Sequence, residues 1–255
     1  MNFIFPAAGL GLRFKNIGIK TPKPLILVHN IPLLIWAITN FNIKMSDKVW
    51  IISQNSDGIE EYIKNNFKKL YRICNFINID KTTSGPASTV EICMKYIHDL
   101  EPVIIANTDQ FIFKNLDEYV NLIQLSSSSG LIMTMQASGN KWSYLGRSKN
   151  GEINLIVEKK QISSEATVGI YGFKKSSLFK NAYKKMTYLE DTVNGEYYVA
   201  PMYNQLIADG NKVSSYDVGL IEQDVFGTGT PEDLAIFQKD TRLKNLAETI
   251  KHKYI

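Results

Sequence analysis

The chain has 255 residues, enough for one large α/β domain or two small ones. A chain of this size buries roughly three quarters of its unfolded surface, so its core needs no disulfide framework. Hydrophobic residues at 44% and charged residues at 21% are ordinary globular values, which exclude wholesale disorder, collagen-like repeats and coiled coil. The 29 basic and 25 acidic residues are scattered, so the net charge of +4 favours a solvated surface over a nucleic-acid patch.

Cysteine content and hydropathy indicate the cellular compartment in which the protein is expected. Two cysteines, Cys74 and Cys93, form no CxxC pair, so we expect reduced thiols and no structural zinc. The longest apolar run, residues 31–38, contains Pro32 and is far shorter than the ~20 residues that cross a bilayer. The first residues also lack the basic flank of a signal peptide. We therefore expect a cytoplasmic protein with neither membrane nor nucleic-acid partners, whose oligomeric state stays open.

Apolar runs alternate with helical patterns through the first half of the chain. The strands are predicted at residues 3–5, 49–52, 73–79 and 103–106. The helices are predicted at residues 32–41, 59–67 and 87–97, with Ser56 and Asp57 as candidate caps of the second. This βαβαβ order predicts an α/β fold with a mostly parallel central sheet and helices on both faces.

The second half of the chain is less regular. Its strands are predicted at residues 131–135, 153–157, 167–173 and 212–216, and its helices at residues 199–207 and 231–252. Thr230 is the expected N-cap of the last helix, with Pro231 in its first turn. Because no linker composition interrupts the chain, we expect a single domain.

The segment after the first strand is the clearest candidate in the sequence for a ligand-binding loop. It contains Ala7, Ala8, Gly9, Leu10 and Gly11, followed by Arg13. Small residues let the backbone approach a phosphate or a base, and the arginine adds a bidentate partner. A tight strand-to-helix turn explains the same residues. A dinucleotide fold would place a third glycine at Phe14 and an acid near Asn30, so hydride transfer is disfavoured.

A second signal follows in Pro22-Lys23-Pro24, where two prolines are expected to hold the lysine in extended backbone. A proline-rich surface turn is the alternative. The strand, the GxGxR loop and the PKP segment, in that order, resemble the sugar-phosphate nucleotidyltransferase family. The resemblance implies a Rossmann-like three-layer α/β/α fold. It also implies transfer of a nucleoside monophosphate from a nucleoside triphosphate to a phosphorylated acceptor, with pyrophosphate released and Mg²⁺ as cofactor.

The same resemblance assigns roles to particular residues. The nucleotide would contact Ala7, Ala8, Gly9, Leu10, Gly11, Arg13, Lys23, Gly85, Pro86, Ala87 and Thr108. The catalytic side chains would be Arg13, Lys23 and Lys159, and the acceptor would contact Glu158, Lys159, Gly169 and Glu196. Asp109 would bind the metal. Taken alone, each of these segments also fits a plain turn, a capped helix or a solvated surface.

The sequence departs from the family pattern at two positions. Residues 157–159 resemble the family's segment that contacts the acceptor, in which a proline commonly follows the lysine. Lys160 stands in place of that proline. Gly227 stands where the family commonly has a second metal-binding aspartate. Either Asp224 or Asp217 substitutes for it, or the metal relies on Asp109 and the nucleotide's own oxygens. A non-catalytic nucleotide-sensing module therefore stays open as an alternative.

The substrates can be narrowed further by the resemblance. Ala8, Gly9, Gly85 and Ala87 would contact a pyrimidine base through their backbone groups, which fits cytidine, uridine or thymidine equally. Residues 5–24 are most similar to bacterial capsule-pathway enzymes of the phosphoramidate route, in particular cytidylyltransferases that use phosphoglutamine. We therefore expect CTP and a small phosphorylated acceptor, with a sugar 1-phosphate or phosphocholine as alternatives. Residues 1–110 would form the nucleotide-binding half, and residues 111–255 the acceptor-binding half with the C-terminal helix.

Overall fold

The computed structural model describes residues 1–255. The strands, in chain order, are β1 (Asn2–Ala7), β2 (Leu27–Val28), β3 (Ile31–Pro32), β4 (Lys48–Gln54), β5 (Cys74–Ile79), β6 (Val103–Ala106), β7 (Gln110–Ile112), β8 (Gly130–Gln136), β9 (Ser143–Arg147), β10 (Ile153–Glu158), β11 (Glu165–Phe173), β12 (Val213–Leu220) and β13 (Val225–Gly227). The helices are α1 (Leu12–Lys15), α2 (Leu33–Ile38), α3 (Ile59–Asn66), α4 (Lys68–Tyr71), α5 (Pro86–Met94), α6 (Asp117–Leu125), α7 (Ser176–Tyr188), α8 (Met202–Ala208), α9 (Pro231–Gln238) and α10 (Arg242–Tyr254).

Nine of the strands form one central sheet. Strands β5, β4, β1 and β6 pair in parallel in that order, so the carboxyl ends of β1 and β6 lie side by side. Strand β11 then runs antiparallel to β6 and leads to β8 and β9. Strand β12 is parallel to β8, and β10 is antiparallel to β9. The predicted α/β fold with a large, mainly parallel sheet is confirmed.

Side chains of the first strand divide between two apolar cores, one on each face of the sheet. Phe3 and Phe5 belong to a core of 45 buried residues, whereas Ile4 belongs to another of 25. Successive strand residues point to opposite faces, so this alternation requires helices above and below the sheet. Helix α2 is buried along its whole length in the first core, where the Trp36 indole N–H donates to the Val28 carbonyl at 3.1 Å.

Three local predictions were wrong. Neither Ser56 nor Asp57 caps α3, because both lie in a short 3₁₀ turn and Gly58, with φ of 62°, precedes the helix. The long C-terminal helix is two helices, α9 and α10, separated at residues 239–241. Lys23 does not continue an extended backbone, since the Leu25 N–H donates to the Pro22 carbonyl at 2.8 Å and closes a 3₁₀ turn.

Two other local predictions, the Thr230 cap and the free thiols, are confirmed. The Thr230 hydroxyl accepts a hydrogen bond from the Asp233 N–H at 3.1 Å, which is the expected N-cap of α9. Cys74 and Cys93 are both free thiols. None of the helices combines the length and the apolar character that a bilayer span requires.

Candidate active site

A cavity of about 550 Å³ lies at the carboxyl ends of β1 and β6. Ligands on parallel sheets bind at this edge, where the loops that follow the strands converge. The predicted site residues that line it are Ala7, Ala8, Gly9, Leu10, Gly11, Arg13, Lys23, Gly85, Pro86, Thr108, Asp109 and Glu196. The side of the cavity formed by residues 7–13, Lys23 and Asp109 is called the glycine-loop side below.

Lys23 and Asp109 form a direct ion pair across the glycine-loop side. The Lys23 ammonium donates to Oδ2 of Asp109 at 2.6 Å, and the two side chains are only 18% and 23% exposed. The residues are 86 positions apart in the chain, so the pair depends on the parallel neighbours β1 and β6. A cation and an anion held this close can exchange partners when a charged ligand enters the cavity.

Arg13 faces the same region. A Cβ atom placed on Gly229 would lie 3.2 Å from Oδ2 of Asp109 and 3.9 Å from Nη1 of Arg13. Both charged side chains therefore border the small space above Gly229. The C-terminal segment is fixed there because the Thr228 N–H donates to the Asp109 carbonyl at 2.7 Å. Two basic groups and one carboxylate thus converge over one part of the cavity.

Gly11 brings the first loop down onto Lys23. It has φ of 61°, and a Cβ atom at this position would lie 3.2 Å from the Lys23 Cβ. The left-handed backbone and the close approach both favour glycine. The two motifs that the sequence singled out are therefore in direct contact.

The chemistry of Asp109 suits a divalent cation. Its Oδ1 is buried and has no hydrogen-bond partner, which is costly for a carboxylate oxygen. Mg²⁺ commonly takes one or two protein carboxylates together with substrate phosphate oxygens. No cluster of three or more His, Cys, Asp or Glu side chains with metal-binding geometry is present. Asp109 is therefore the residue of this cavity that fits such an ion.

The two candidate replacements for the carboxylate missing at Gly227 lie elsewhere. Asp224 accepts a hydrogen bond from the Leu220 N–H at 3.0 Å, and Asp217 accepts one from the Gly219 N–H at 3.2 Å. Neither residue lines the cavity. Asp224 instead lies in the bend between β12 and β13, where its side chain is engaged by the Leu220 N–H. It therefore does not join Asp109 in the lining of the cavity.

A second part of the cavity wall, which we call the Tyr198 side, is a chain of polar contacts. The Lys159 ammonium donates to the Tyr198 hydroxyl, which donates in turn to the Glu196 carboxylate. The same ammonium lies 4.3 Å from the centre of the Tyr198 ring. Lys159 has φ of 56°, a backbone conformation that a non-glycine residue adopts only when its surroundings impose it. Glu196 and Tyr198 line the cavity, and Lys159 reaches it through Tyr198.

Electrostatic effects on this side follow from burial. Burial raises the pKa of the Glu158 carboxyl, although the Ser143 hydroxyl donates to it and Lys159 lies nearby. Burial also raises the pKa of Tyr198, and its hydrogen bond to the Glu196 carboxylate acts in the same direction. The Tyr198 phenol is therefore neutral at physiological pH and can act as a hydrogen-bond donor.

Several predicted residues lie outside the cavity lining. Ala87 is fully buried at the start of α5, where its N–H donates to the Tyr197 carbonyl at 3.0 Å, so it does not face a ligand. Gly169 packs behind Asn107, whose N–H donates to its carbonyl at 2.9 Å. Glu158 and Lys159 stand behind Tyr198 rather than in the lining.

Sequence reasoning missed other lining residues, namely Thr82, Thr83, Thr89, Asn107, Tyr198 and Gly229. Tyr198 could have been identified, because it lies two positions after Glu196, in the same short segment as that predicted acceptor contact. Its neighbour Tyr197 instead packs against Tyr183, with ring centres 6.2 Å apart. The threonines carry no distinctive sequence signal.

Solved structures share this architecture. A nucleoside-diphosphate-sugar pyrophosphorylase from Vibrio cholerae superposes with a TM-score of 0.79 at 22% identity, covering 93% of this chain and 100% of that one. The inositol-1-phosphate CTP transferase from T. maritima superposes with a TM-score of 0.71 at 14% identity, covering 100% and 97% of the two chains. At these identities the likeness concerns the fold.

Curated relatives match by sequence as well. The bifunctional protein GlmU of Staphylococcus epidermidis is 24% identical over 225 residues, which is 84% of this chain and 47% of the relative. The catalytic subunit beta of mannose-1-phosphate guanylyltransferase from Drosophila melanogaster is 25% identical over 182 residues, covering 67% and 47% of the two chains. The chain thus spans about half the length of these relatives.

One family profile, described as nucleotidyl transferase, matches residues 4–235 and so takes in nearly the whole chain. The matched region contains the glycine-loop side and the Tyr198 side together. The fold, the position of the cavity and the sequence match agree, and the chain belongs to the nucleotidyl transferase family.

Proposed function

We propose that this protein transfers a nucleoside monophosphate, CMP from CTP, to a small phosphorylated acceptor and releases pyrophosphate. The observation that carries the proposal is the convergence of Lys23, Asp109 and Arg13 over a cavity that residues 7–11 also line. The backbone N–H groups of such a loop and two basic side chains suit a triphosphate.

The reaction consists of one displacement at phosphorus. An oxygen of the acceptor phosphate attacks the α-phosphorus, and the bond from that phosphorus to the oxygen bridging to the β-phosphate breaks. The electron pair leaves with pyrophosphate. Arg13 and Lys23 would neutralise the negative charge that develops on the α-phosphate and on the leaving group. Catalysis then rests on placement and charge neutralisation, without a covalent protein intermediate.

A metal ion fits this scheme at Asp109. The unpaired Oδ1 of Asp109 would serve as its protein ligand. When bound, Mg²⁺ supplies positive charge to the phosphate oxygens. Lys23 would then move from Asp109 to the phosphates, since an ammonium and a divalent cation compete for one carboxylate.

The Tyr198 side would bind the acceptor. Glu196 would contact the acceptor directly, and Lys159 would orient the attacking phosphate from its position behind Tyr198. Glu158 and Gly169 would support the acceptor site from outside the cavity lining. The exposed carboxylate of Glu196 at the cavity wall supports an acceptor that carries a positive group, as the ammonium of an amino acid does. We therefore favour phosphoglutamine over a sugar 1-phosphate, with phosphocholine as a further cationic candidate.

The base would lie among small residues. Ala8 and Gly9 leave room for a base, and the Ala8 carbonyl is fixed by a hydrogen bond from the buried Gln54 amide at 3.0 Å. Such a site suits a pyrimidine, and one structural neighbour is described as a CTP transferase. Residues 1–110 would thus supply the nucleotide-binding half of one domain, and residues 111–255 the acceptor-binding half.

A pyrophosphate-release screen tests the proposal. The protein is incubated with Mg²⁺ and each of the four ribonucleoside triphosphates or dTTP, against phosphorylated amino acids, sugar 1-phosphates and phosphocholine. We expect release with CTP that depends on a phosphorylated acceptor, phosphoglutamine above the others. Nucleotide binding without pyrophosphate release across the whole panel would contradict the proposal. That result would support a nucleotide-sensing module, the alternative that Gly227 raises.

A further inference from the structure

Gly85 is the point at which the loop of residues 82–89 meets the Tyr198 side of the cavity through its backbone. A Cβ atom on Gly85 would lie only 2.6 Å from both the nitrogen and the carbonyl oxygen of Tyr197. Two backbone hydrogen bonds flank this contact, from the Tyr197 N–H to the Ser84 carbonyl at 2.8 Å and from the Ala87 N–H to the Tyr197 carbonyl at 3.0 Å. The missing side chain of Gly85 therefore makes room for Tyr197 rather than for a ligand.

The loop of residues 82–89, on one side of this contact, is held by several hydrogen bonds. The Gly85 carbonyl accepts hydrogen bonds from the Thr89 N–H at 3.0 Å, the Thr83 hydroxyl at 3.0 Å and the Thr89 hydroxyl at 3.2 Å. Thr83 and Thr89 also line the cavity. Since Ala87 is fully buried, the first turn of α5 cannot shift easily. A side chain at Gly85 would press on the Tyr197 backbone, and the φ of 126° at this position also strains any residue other than glycine.

The other side of the contact is a small unit attached at few places. Asn194 and Gly195 have φ of 53° and 77°, as in a type I′ turn, and Val193 and Glu196 exchange hydrogen bonds of 3.0 and 3.1 Å across it. The only backbone hydrogen bonds that join residues 192–198 to the rest of the chain are those to Ser84 and Ala87. The backbone of residues 192–198 is therefore joined to the rest of the chain by hydrogen bonds only at the Gly85 contact, and the side chains of Tyr197 and Tyr198 add contacts to Tyr183 and Lys159.

We propose, building on the function proposed above, that Gly85 is a positioning residue for the acceptor. It docks residues 193–198 onto the loop that receives the nucleotide, and this docking sets the positions of Glu196 and Tyr198. Through Tyr198 it also sets the position of Lys159. Nucleotide bound against Thr83 and Thr89 then stabilises residues 193–198 before any acceptor is present.

Amide hydrogen exchange of the unmodified protein tests this inference without a variant. Exchange is followed with and without saturating CTP and Mg²⁺, in the absence of acceptor. We expect exchange to slow by about tenfold at residues 82–89 and also at the Glu196 and Tyr197 amides. Slowing at residues 82–89 alone would overturn the inference and leave the proposed function intact. No slowing at residues 82–89 would contradict the proposed function itself.

Gly85→Ala gives a second test through kinetics. We expect the acceptor KM to rise by about tenfold while the CTP KM changes less than about threefold, because the added Cβ points at Tyr197. Gly9→Ala is the contrasting variant, since nothing lies within 4 Å of its Cβ and it lines the cavity, so the CTP KM should rise. Tyr188→Phe, at an 87% exposed side chain, should change neither. An equal rise of both KM values in Gly85→Ala would contradict the positioning role.

Discussion

The two walls of the cavity are built in different ways. The glycine-loop side takes its residues from the ends of the adjacent parallel strands β1 and β6 and from one short loop, so compact motifs supply it. The Tyr198 side combines the end of β10 with a turn almost 40 residues later in the chain, joined by side-chain hydrogen bonds. Charge on the first wall is concentrated in a direct ion pair, whereas on the second it is relayed through a phenol.

This contrast has a chemical meaning. The triphosphate is the same group in every nucleoside triphosphate, so a compact motif of N–H groups and basic side chains can bind it. An acceptor differs from one enzyme to another, and its site is assembled from parts that can change independently. We expect damage to the glycine-loop side to lower turnover, and damage to the Tyr198 side to alter the use of the acceptor.

Lys23→Ala should have the largest effect. Loss of the ammonium that faces the triphosphate should lower turnover by on the order of 10²-fold, comparable to removal of an oxyanion donor. Steady-state pyrophosphate release measures the effect, and the circular dichroism spectrum should stay unchanged. Lys20→Ala, an exposed lysine of the same loop, is the matched control. Unchanged turnover in Lys23→Ala would remove Lys23 from the mechanism.

Asp109→Asn should have the next largest effect, through the metal. The Mg²⁺ concentration for half-maximal rate should rise by roughly tenfold or more, because the anionic oxygen without a partner is lost. Titration of the rate with Mg²⁺ measures it. Asp224→Asn, which keeps an acceptor for the Leu220 N–H, should change little. If both variants shifted equally, a second carboxylate would act despite Gly227.

Lys159→Ala should affect the acceptor rather than the nucleotide. Removing a charged donor from the acceptor phosphate should raise the acceptor KM by about tenfold or more, while the CTP KM stays close to that of the unmodified protein. Initial rates over a matrix of both substrate concentrations separate the two constants. Lys160→Ala, at the exposed neighbour, controls for loss of charge alone. A rise confined to the CTP KM would assign Lys159 to the wrong wall.

Glu158→Gln should have the smallest effect, and it concerns stability. Burial raises the folded-state pKa of Glu158 above its ordinary 4.5, so the stabilising contribution of the protonated form is complete below about pH 4.5. That contribution is lost as pH rises through the folded pKa. Glutamine resembles the protonated acid at every pH.

We therefore expect the Tm of Glu158→Gln to match that of the unmodified protein near pH 4 and to exceed it by about 2 °C at pH 8. Thermal unfolding at both pH values measures the difference, with the exposed Glu152→Gln as control. A lower Tm of Glu158→Gln at pH 8 would show that the carboxylate is stabilised by its neighbours.

The strands of the parallel part of the sheet could be predicted from the sequence, whereas the break in the C-terminal helix could not. Strand β6 appeared at its predicted bounds, because a fully apolar run ending at a polar Asn107 leaves little choice. The break between α9 and α10 carries no proline or glycine. It coincides with a tertiary contact, since the Arg242 guanidinium lies 3.5 Å from the centre of the Phe113 ring and donates to Asp240. The periodicity of apolar residues along a helix contains no information about a contact between residues as distant in the chain as Phe113 and Arg242.

The site shows the same division. The approach of Lys23 to Asp109 followed from two motifs at neighbouring strand ends. By contrast, Ala87 faces the Tyr197 carbonyl rather than the cavity, and Gly85 serves a backbone contact that no local pattern encodes. What the sequence could not supply are the contacts between distant segments, because their partners have no fixed spacing.

A crystal structure of the protein with CTP and Mg²⁺ would show whether Lys23, Arg13 and Asp109 act on one triphosphate. We expect the triphosphate in the cavity at the ends of β1 and β6, with Lys23 and Arg13 within hydrogen-bond distance of its oxygens. Asp109 should have exchanged Lys23 for the metal ion. A nucleotide bound away from these three residues, or an intact Lys23–Asp109 pair beside a bound triphosphate, would contradict the account.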